Sequence, residues 1–172
     1  RISKEKMLDH LIKVLYELKR NNCKVHLKIL GSGECKQELI VQSEKLGVDG
    51  MITFRGWVPN GILPTYLQNA DCFVSPLTGG ALREAALCGL PIIAYKHDWI
   101  ADMLQSGVDY IGVQSNDYKA FAQAIMSLSK DIDKQVFLSR NIREFANNIW
   151  SDKYLVKALH FIDSNQGKPI KL

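Results

Sequence analysis

The sequence has no long hydrophobic run, no cysteine motif and no leader-like segment. None of its apolar stretches approaches the roughly 20 residues that a membrane-spanning helix needs, so a membrane span is excluded. Its 4 cysteines include no Cys-x-x-Cys pair and have no histidine at ligand spacing, which favours buried, reduced thiols of a cytosolic protein over disulfides or a metal site. The chain begins at Arg1 without an initiator methionine, and we interpret it as a piece of a longer protein.

Positive charge is in slight excess and is spread along the chain. The 22 Lys and Arg against 18 Asp and Glu give a formal net charge of +4. Most basic residues have an acidic neighbour, as in the segments KEK, SEK and SDK. This pattern favours solvated helix faces and a local anion site over the basic stripe of a nucleic-acid-binding surface, so we expect no nucleic-acid partner.

Short apolar runs alternate with segments of helical periodicity. Strands are predicted over 25–30, 51–54, 72–74, 92–95 and 110–113, and helices over 4–20, 34–46, 62–69, 81–88, 100–105, 117–129, 134–147 and 152–162. This alternation predicts an α/β fold, a Rossmann-like doubly wound parallel sheet with helices on both faces. We assign residues 1–164 to this domain and 165–172 to a frayed tail.

One strand of the expected order is not found in the sequence. In a Rossmann-type sheet the strand that would precede Arg1 lies inside the sheet, between the strands at 25–30 and 72–74. We therefore expect either that residues outside this chain belong at that position or that the sheet closes differently.

The loop at 76–80 is the first candidate for a binding site. Ligands bind beyond the carboxyl ends of parallel strands, and this loop joins such an end to a helix. The pair Gly79 and Gly80 lets the backbone approach a ligand, and the free N–H groups of a helix N-terminus suit a phosphate. Glu84, about one turn further on, is predicted to accept hydrogen bonds from ribose hydroxyls. An exposed glutamate favoured by the helix dipole is an equal alternative.

Three further segments have simpler interpretations. The turn Gly31-Ser32-Gly33 follows a strand but is followed by Lys36 in place of a third glycine, so a tight turn that lets a helix pack close to the sheet is favoured over a nicotinamide site. Asp131 and Asp133 could hold Mg²⁺, but a solvated turn between two helices is favoured. His97 faces the ligand edge and could donate to a substrate oxygen, and a surface histidine is the favoured alternative.

Several segments, spread over nearly the whole chain, resemble those of one enzyme family. They are RISKEK at 1–6, LKILGSG at 27–33, ITFRGWV at 52–58, ADCFVSP at 70–76, EA at 84–85 and CGLP at 88–91. In these segments the sequence is similar to the C-terminal, donor-binding domain of GT-B glycosyltransferases of the glycosyltransferase group 1 type (family 4).

The resemblance implies a hexosyltransferase as the full-length protein. It would transfer a sugar from a UDP-sugar or GDP-sugar to a glycan or lipid-linked acceptor, in the synthesis of a bacterial surface polysaccharide or glycolipid, without a metal or other cofactor. The resemblance also implies a separate N-terminal, acceptor-binding domain outside this chain, and little activity of the fragment alone. The expected location is the cytoplasm, including the inner face of the membrane.

The resemblance assigns a role to each candidate residue. Arg1 and Lys6 would neutralise the nucleotide diphosphate and, as catalytic residues, stabilise it as the leaving group. The backbone of Gly79-Gly80 would bind the same diphosphate. Glu84 would hold the ribose hydroxyls, and Val58 would contact the base through its backbone. No metal ligand is implied.

One departure from the family pattern keeps other functions open. Pro76 stands where the family usually has the glutamate that contacts the donor sugar, and Leu77 replaces the glycine expected after it. A non-catalytic nucleotide-binding or interaction module that has lost its sugar contact is therefore one alternative. The segment TGGALREA at 78–85 also resembles nucleotide-sugar 2-epimerases, although YKHDW at 95–99 departs from the run that follows in those enzymes, and a 2-epimerase-like enzyme is the other alternative.

Overall fold

A computed structural model of the chain describes residues 1–77 and 79–150. The strands are β1 (Leu27–Leu30), β2 (Ile52–Gly56), β3 (Phe73–Ser75), β4 (Ile92–Tyr95) and β5 (Ile111–Val113). The α-helices are α1 (Leu8–Arg20), α2 (Lys36–Lys45), α3 (Leu63–Gln68), α4 (Gly80–Leu87), α5 (Asp98–Met103), α6 (Tyr118–Leu128) and α7 (Ile132–Ile149), and short 3₁₀ helices cover Lys4–Lys6, Asp49–Met51 and Asn60–Ile62. The predicted helix over 152–162 and the predicted tail lie outside the described residues.

All strand pairs are parallel, and the predicted α/β class is confirmed. The strands form two sheets, β1-β2 and β3-β4-β5, and β1 does not pair with β3. The expected interior strand would lie between these two, and within residues 1–77 and 79–150 no other pairing closes the sheet at that place. Helix α1 packs between α2 and α6, and His10 Nδ1 on α1 lies 3.2 Å from the phenol oxygen of Tyr95 on β4. Helix α1 therefore joins the two sheets.

Helix α1 forms because its apolar residues repeat at helical spacing and cover one stripe. The buried members are Leu11, Ile12, Val14, Leu15 and Leu18. The prediction of one helix over 4–20 is wrong at Met7, whose φ of 51° is left-handed. An α-helix cannot continue through that conformation, so Lys4–Lys6 forms a separate 3₁₀ turn.

Strand β4 shows that helices cover both faces of the larger sheet. All four of its residues are buried, and successive side chains of a strand point to opposite faces. Ile93 and Tyr95 pack into a cluster with α1 and α6, whereas Ile92 and Ala94 pack into a cluster with α4, α5 and α7. The continuous apolar sequence of β4 is therefore typical of a strand between two helical layers.

The cysteines are less buried than the sequence suggested. Cys23, Cys35, Cys72 and Cys88 are all half-buried and none takes part in a disulfide, so burial of the thiols is partial, and their reduced state stays a prediction. Burial raises the pKa of the Cys72 thiol to about 11. Among residues 1–77 and 79–150, no helix combines the length and the apolar character that crossing a bilayer requires.

Candidate functional site

The amino-terminal segment crosses the glycine turn that follows β1. Ile2 is fully buried; its N–H donates to the carbonyl of Ser32 at 2.9 Å, and its carbonyl accepts from the N–H of Cys35 at 3.3 Å. A Cβ added to Gly33 would overlap the backbone of Ile2. Gly33 is thus needed for this backbone crossing, a role that the interpretation as a tight turn before a helix did not include.

This crossing holds Arg1 and Lys6 at the carboxyl edge of the sheet. Gly31 lies just beyond β1, and a Cβ built on it would be 3.4 Å from the backbone nitrogen of Arg1. The residue Arg1 is itself exposed. Gly31 in turn donates its N–H to the carbonyl of Gly56 at 2.7 Å, which ties the ends of β1 and β2 together. Arg1 is therefore placed beside the loop that follows each of these strands.

Lys6 meets the glycine pair, although the two are far apart in sequence. A Cβ built on Gly79 would lie 3.4 Å from the Nζ of Lys6. Lys6 is half-buried. Gly79 is the N-cap residue of α4, with extended backbone and no side chain that caps the helix. The N-cap residue therefore offers no side chain to the first N–H groups of α4, and a cation lies next to it. Both features favour a bound anion.

Glu84 and Val58 follow the carboxyl ends of β3 and β2. Glu84 is exposed on α4, about one turn beyond Gly80, while the core-facing residues of that helix are Leu82, Ala85 and Ala86. Val58 is half-buried on the loop after β2, and the neighbouring Trp57 is 73% exposed. The predicted residues therefore lie at or near the loops that follow the carboxyl ends of β1, β2 and β3, and the structure brings Lys6 and Gly79 of separate segments together.

Sequence reasoning missed the contact made by His97. Its Nε2 lies 2.8 Å from the carbonyl oxygen of Pro76, so His97 is neither a plain surface histidine nor a group whose Nε2 is directed at a substrate. Both residues follow neighbouring parallel strands, β4 and β3. The sequence signal that could have suggested the contact is that each residue directly follows a predicted strand. If the two strands are neighbours, the loops after them must leave the sheet side by side.

The acidic pair at the start of α7 has a structural role. The Asp131 carboxylate accepts a hydrogen bond from the N–H of Lys134 at 2.9 Å and so caps α7. Within residues 1–77 and 79–150, no three His, Cys, Asp or Glu side chains are grouped to hold a metal ion. The Mg²⁺ alternative for Asp131 and Asp133 therefore gains no support.

A cleft of about 800 Å³ lies at the opposite, amino-terminal edge of the larger sheet, between α7 and the segment Cys88–Pro91. Two side chains of α7 satisfy backbone carbonyls at the end of α4. Arg143 donates to Cys88 at 2.7 Å, and Ser139 donates to Gly89 at 2.6 Å. These bonds stabilise the C-terminus of α4, and the cleft contains none of the predicted site residues.

Parallel strands with helices on both faces define a Rossmann-like α/β domain. The family model of the glycosyl transferases group 1 matches residues 1–145. The chain belongs to this family.

Curated relatives are longer than this chain. A putative colanic acid biosynthesis glycosyltransferase, WcaL of Escherichia coli, is 24% identical over 170 residues, which cover 92% of this chain and 42% of that protein. A GDP-mannose-dependent phosphatidylinositol monomannoside mannosyltransferase of Mycolicibacterium smegmatis is 27% identical over 161 residues, covering 87% and 42%. The chain thus spans less than half the length of these relatives.

Solved structures share the fold. Anabaena HepE in complex with UDP-glucose superposes with a TM-score of 0.82 at 21% identity, covering 95% of this chain and 47% of HepE. The pneumococcal O-GlcNAc transferase GtfA in complex with UDP and GlcNAc gives a TM-score of 0.82 at 19% identity, covering 98% and 35%. The fold is that of the Rossmann-like half of a GT-B glycosyltransferase.

Proposed function

We propose that this chain is the donor-binding half of a glycosyltransferase that moves a hexose from a nucleotide-diphosphate sugar to a glycan or lipid-linked acceptor. The observation that carries the proposal is the approach of the Lys6 ammonium to Gly79, the N-cap residue of α4, which has no side chain of its own to cap the helix. A cation and the backbone amides of a helix N-terminus at one point match the charge and the acceptor oxygens of a diphosphate.

The chemistry follows from the charge on the leaving group. When the bond between sugar and diphosphate breaks, the diphosphate gains negative charge. The backbone of Arg1, the side chain of Lys6 beside Gly79 and the amides at the start of α4 are in place before the reaction, so in this proposal the two cations and the amides stabilise the transition state more than the bound donor. These cations supply the charge that a metal ion supplies elsewhere, and we propose that no metal or other cofactor is required.

The other predicted residues complete the donor site in this proposal. Glu84 is exposed to solvent at the same edge and has acceptor oxygens for the ribose hydroxyls. The backbone of Val58, on the loop after β2, contacts the base. Pro76 is buried and has no polar side-chain atom, so the donor sugar is held by other groups than a carboxylate at that position.

The relatives support the class of reaction and leave the base open. HepE is solved with UDP-glucose, and the mycobacterial relative is named as GDP-mannose-dependent. WcaL is named for colanic acid biosynthesis. We propose a role in surface polysaccharide or glycolipid synthesis, with an acceptor-binding N-terminal domain of the same protein as the partner, in the cytoplasm or at the inner face of the membrane.

Titration of the full-length protein with UDP and GDP, with and without EDTA, tests the proposal. We expect one of the two to bind in either condition and to protect the amides of Gly80 to Glu84 from hydrogen exchange. Binding of neither nucleotide, or binding that leaves those amides unprotected, would contradict the donor site.

Product analysis separates the enzyme classes. Incubation with the matching nucleotide sugar should release the nucleoside diphosphate and transfer or hydrolyse the sugar. An epimerised nucleotide sugar would instead support the 2-epimerase alternative. Binding without any turnover in the presence of an acceptor extract would support the non-catalytic module, which the loss of the sugar contact at Pro76 favours.

A further inference from the structure

His97 links the loops that follow two neighbouring strands. Its Nε2 lies 2.8 Å from the carbonyl oxygen of Pro76. A carbonyl oxygen can only accept a hydrogen bond, so Nε2 carries the hydrogen. His97 follows β4 and Pro76 follows β3, and these strands are paired in parallel. The bond therefore connects the loop after β4 to the loop that leads into the glycine pair.

A second side chain holds the next carbonyl of the same loop. The Ser75 hydroxyl donates to the carbonyl of Leu77 at 2.7 Å, and Ser75 is only 8% exposed. Two successive carbonyl groups are thus bonded by side chains. Since the N–H of a trans peptide points opposite to its C=O, the bond from His97 also fixes the direction of the Leu77 N–H.

The backbone beside His97 is hydrogen-bonded to the core of the sheet. Lys96, the residue before it, donates its backbone N–H to the carbonyl of Val113 on β5 at 2.7 Å. The strand that precedes both, β4, is buried at every residue. His97 is therefore held in place by the central strand, and its hydrogen bond to Pro76 restricts the movement of the loop after β3.

The loop after β3 depends on such support because its end is intrinsically flexible. Gly79 and Gly80 restrict the backbone little, and Gly79, the N-cap residue, has no side chain that could cap α4. Ordering a flexible loop costs binding free energy, whereas a loop already held in place binds its ligand without that cost.

We infer that His97 is a positioning residue that holds the loop after β3 in the conformation that receives the diphosphate of the nucleotide. The inference rests on the proposed function. It predicts that loss of the His97 bond weakens the binding of nucleoside diphosphates more than that of monophosphates. A change in global stability would lower both affinities equally.

The test compares two variants of His97 in the full-length protein with a matched histidine control. His97→Ala removes the donor, and His97→Gln keeps an N–H donor at the end of the side chain. His26→Ala serves as control, because exposed His26 bonds Thr53 at 2.8 Å near the amino ends of β1 and β2, away from the loop. Affinities for UDP, UMP, GDP and GMP and the melting temperature are measured for each.

We expect His97→Ala to weaken the preferred diphosphate about tenfold and the matching monophosphate less than about threefold. His97→Gln should restore most of the diphosphate affinity, and His26→Ala should match the wild type. Equal weakening of both nucleotides, or a folded His97→Gln that binds as poorly as His97→Ala, would overturn the inference.

Two results distinguish this inference from the proposed function. If the wild type binds neither UDP nor GDP, the donor site itself is wrong. If the wild type binds and both His97 variants bind as well as it does, only the role of His97 is wrong. If His97→Ala does not fold, His97→Leu takes its place as the variant without a donor; it should bind the diphosphate more weakly than His97→Gln and show faster amide exchange at Gly79 and Gly80, and equal binding and exchange in these two variants would overturn the inference.

Discussion

The backbone of Ile2 fills the space that a side chain on Gly33 would need. This relationship fixes the amino-terminal segment across the turn after β1 and sets the position of Arg1 and Lys6. The candidate site thus depends on a contact between backbone atoms. No pattern of charged or polar residues in the sequence indicates such a contact.

Gly33→Ala should destabilise the protein, since the added methyl group overlaps the backbone of Ile2. That backbone cannot move without loss of the hydrogen bonds that join Ile2 to Ser32 and Cys35. We expect a loss of about 1–3 kcal/mol in the free energy of unfolding by urea titration. Gly50→Ala is the matched control, because a Cβ there would meet nothing within 4 Å. A Gly33 variant as stable as that control would show that the crossing is not as tight as described.

Glu84→Gln should reduce affinity for the nucleotide without affecting stability, because Glu84 is exposed and the ribose hydroxyls lose a charged acceptor. We expect about tenfold to a hundredfold weaker binding, measured by calorimetry. Glu44→Gln, an exposed position on α2, provides the control. If the two variants bind equally well, Glu84 is the exposed, dipole-stabilised glutamate of the alternative interpretation.

Asp131→Ala should cost about 1 kcal/mol of stability, because α7 loses its N-cap bond to Lys134. Nucleotide affinity should stay unchanged, with or without EDTA. Asp133 lies in the first turn of α7, two residues after the N-cap residue Asp131. Asp133→Ala should be close to neutral for stability. A loss of nucleotide binding in both variants that added Mg²⁺ partly restores would instead support the metal alternative.

Alkaline pH should reveal the burial of Tyr95. Burial, with smaller effects of the Asp117 and Asp9 charges, raises the pKa of this phenol from 10.0 to about 12. The unfolded chain loses its phenol proton first, so the stability that the neutral form contributes is intact below pH 10 and is lost as pH rises from 10 to 12. The slope is at most about 1.4 kcal/mol per pH unit. Tyr95→Phe should lack this component; an identical slope would contradict it.

The fold class was predictable because its signals are local. The apolar run of β4 and the helical stripe of α1 are set by burial, and the structure gives β4 the predicted bounds and α1 the predicted end at Arg20. The left-handed Met7 was not predictable, since a methionine rarely adopts that φ.

The site was predictable only in part. The glycine pair and Glu84 stand out as a local pattern, and family resemblance supplied Arg1, Lys6 and Val58. The approach of Lys6 to Gly79 and the bond from His97 to Pro76 join segments far apart in the sequence. Periodicity carries no information on such contacts, because they depend on the order of strands in the sheet.

Binding of UDP and GDP to Lys6→Met in the full-length protein, measured by calorimetry, tests the central claim most directly. Lys24→Met, at an exposed lysine before β1, is the matched control and should bind as the wild type does. The loss of a charged donor beside Gly79 should weaken the preferred diphosphate by about 1.5–3 kcal/mol, roughly tenfold to a hundredfold. A wild type that binds the nucleotide and a Lys6→Met variant that binds it equally well would contradict the assignment of the diphosphate to this point of the fold.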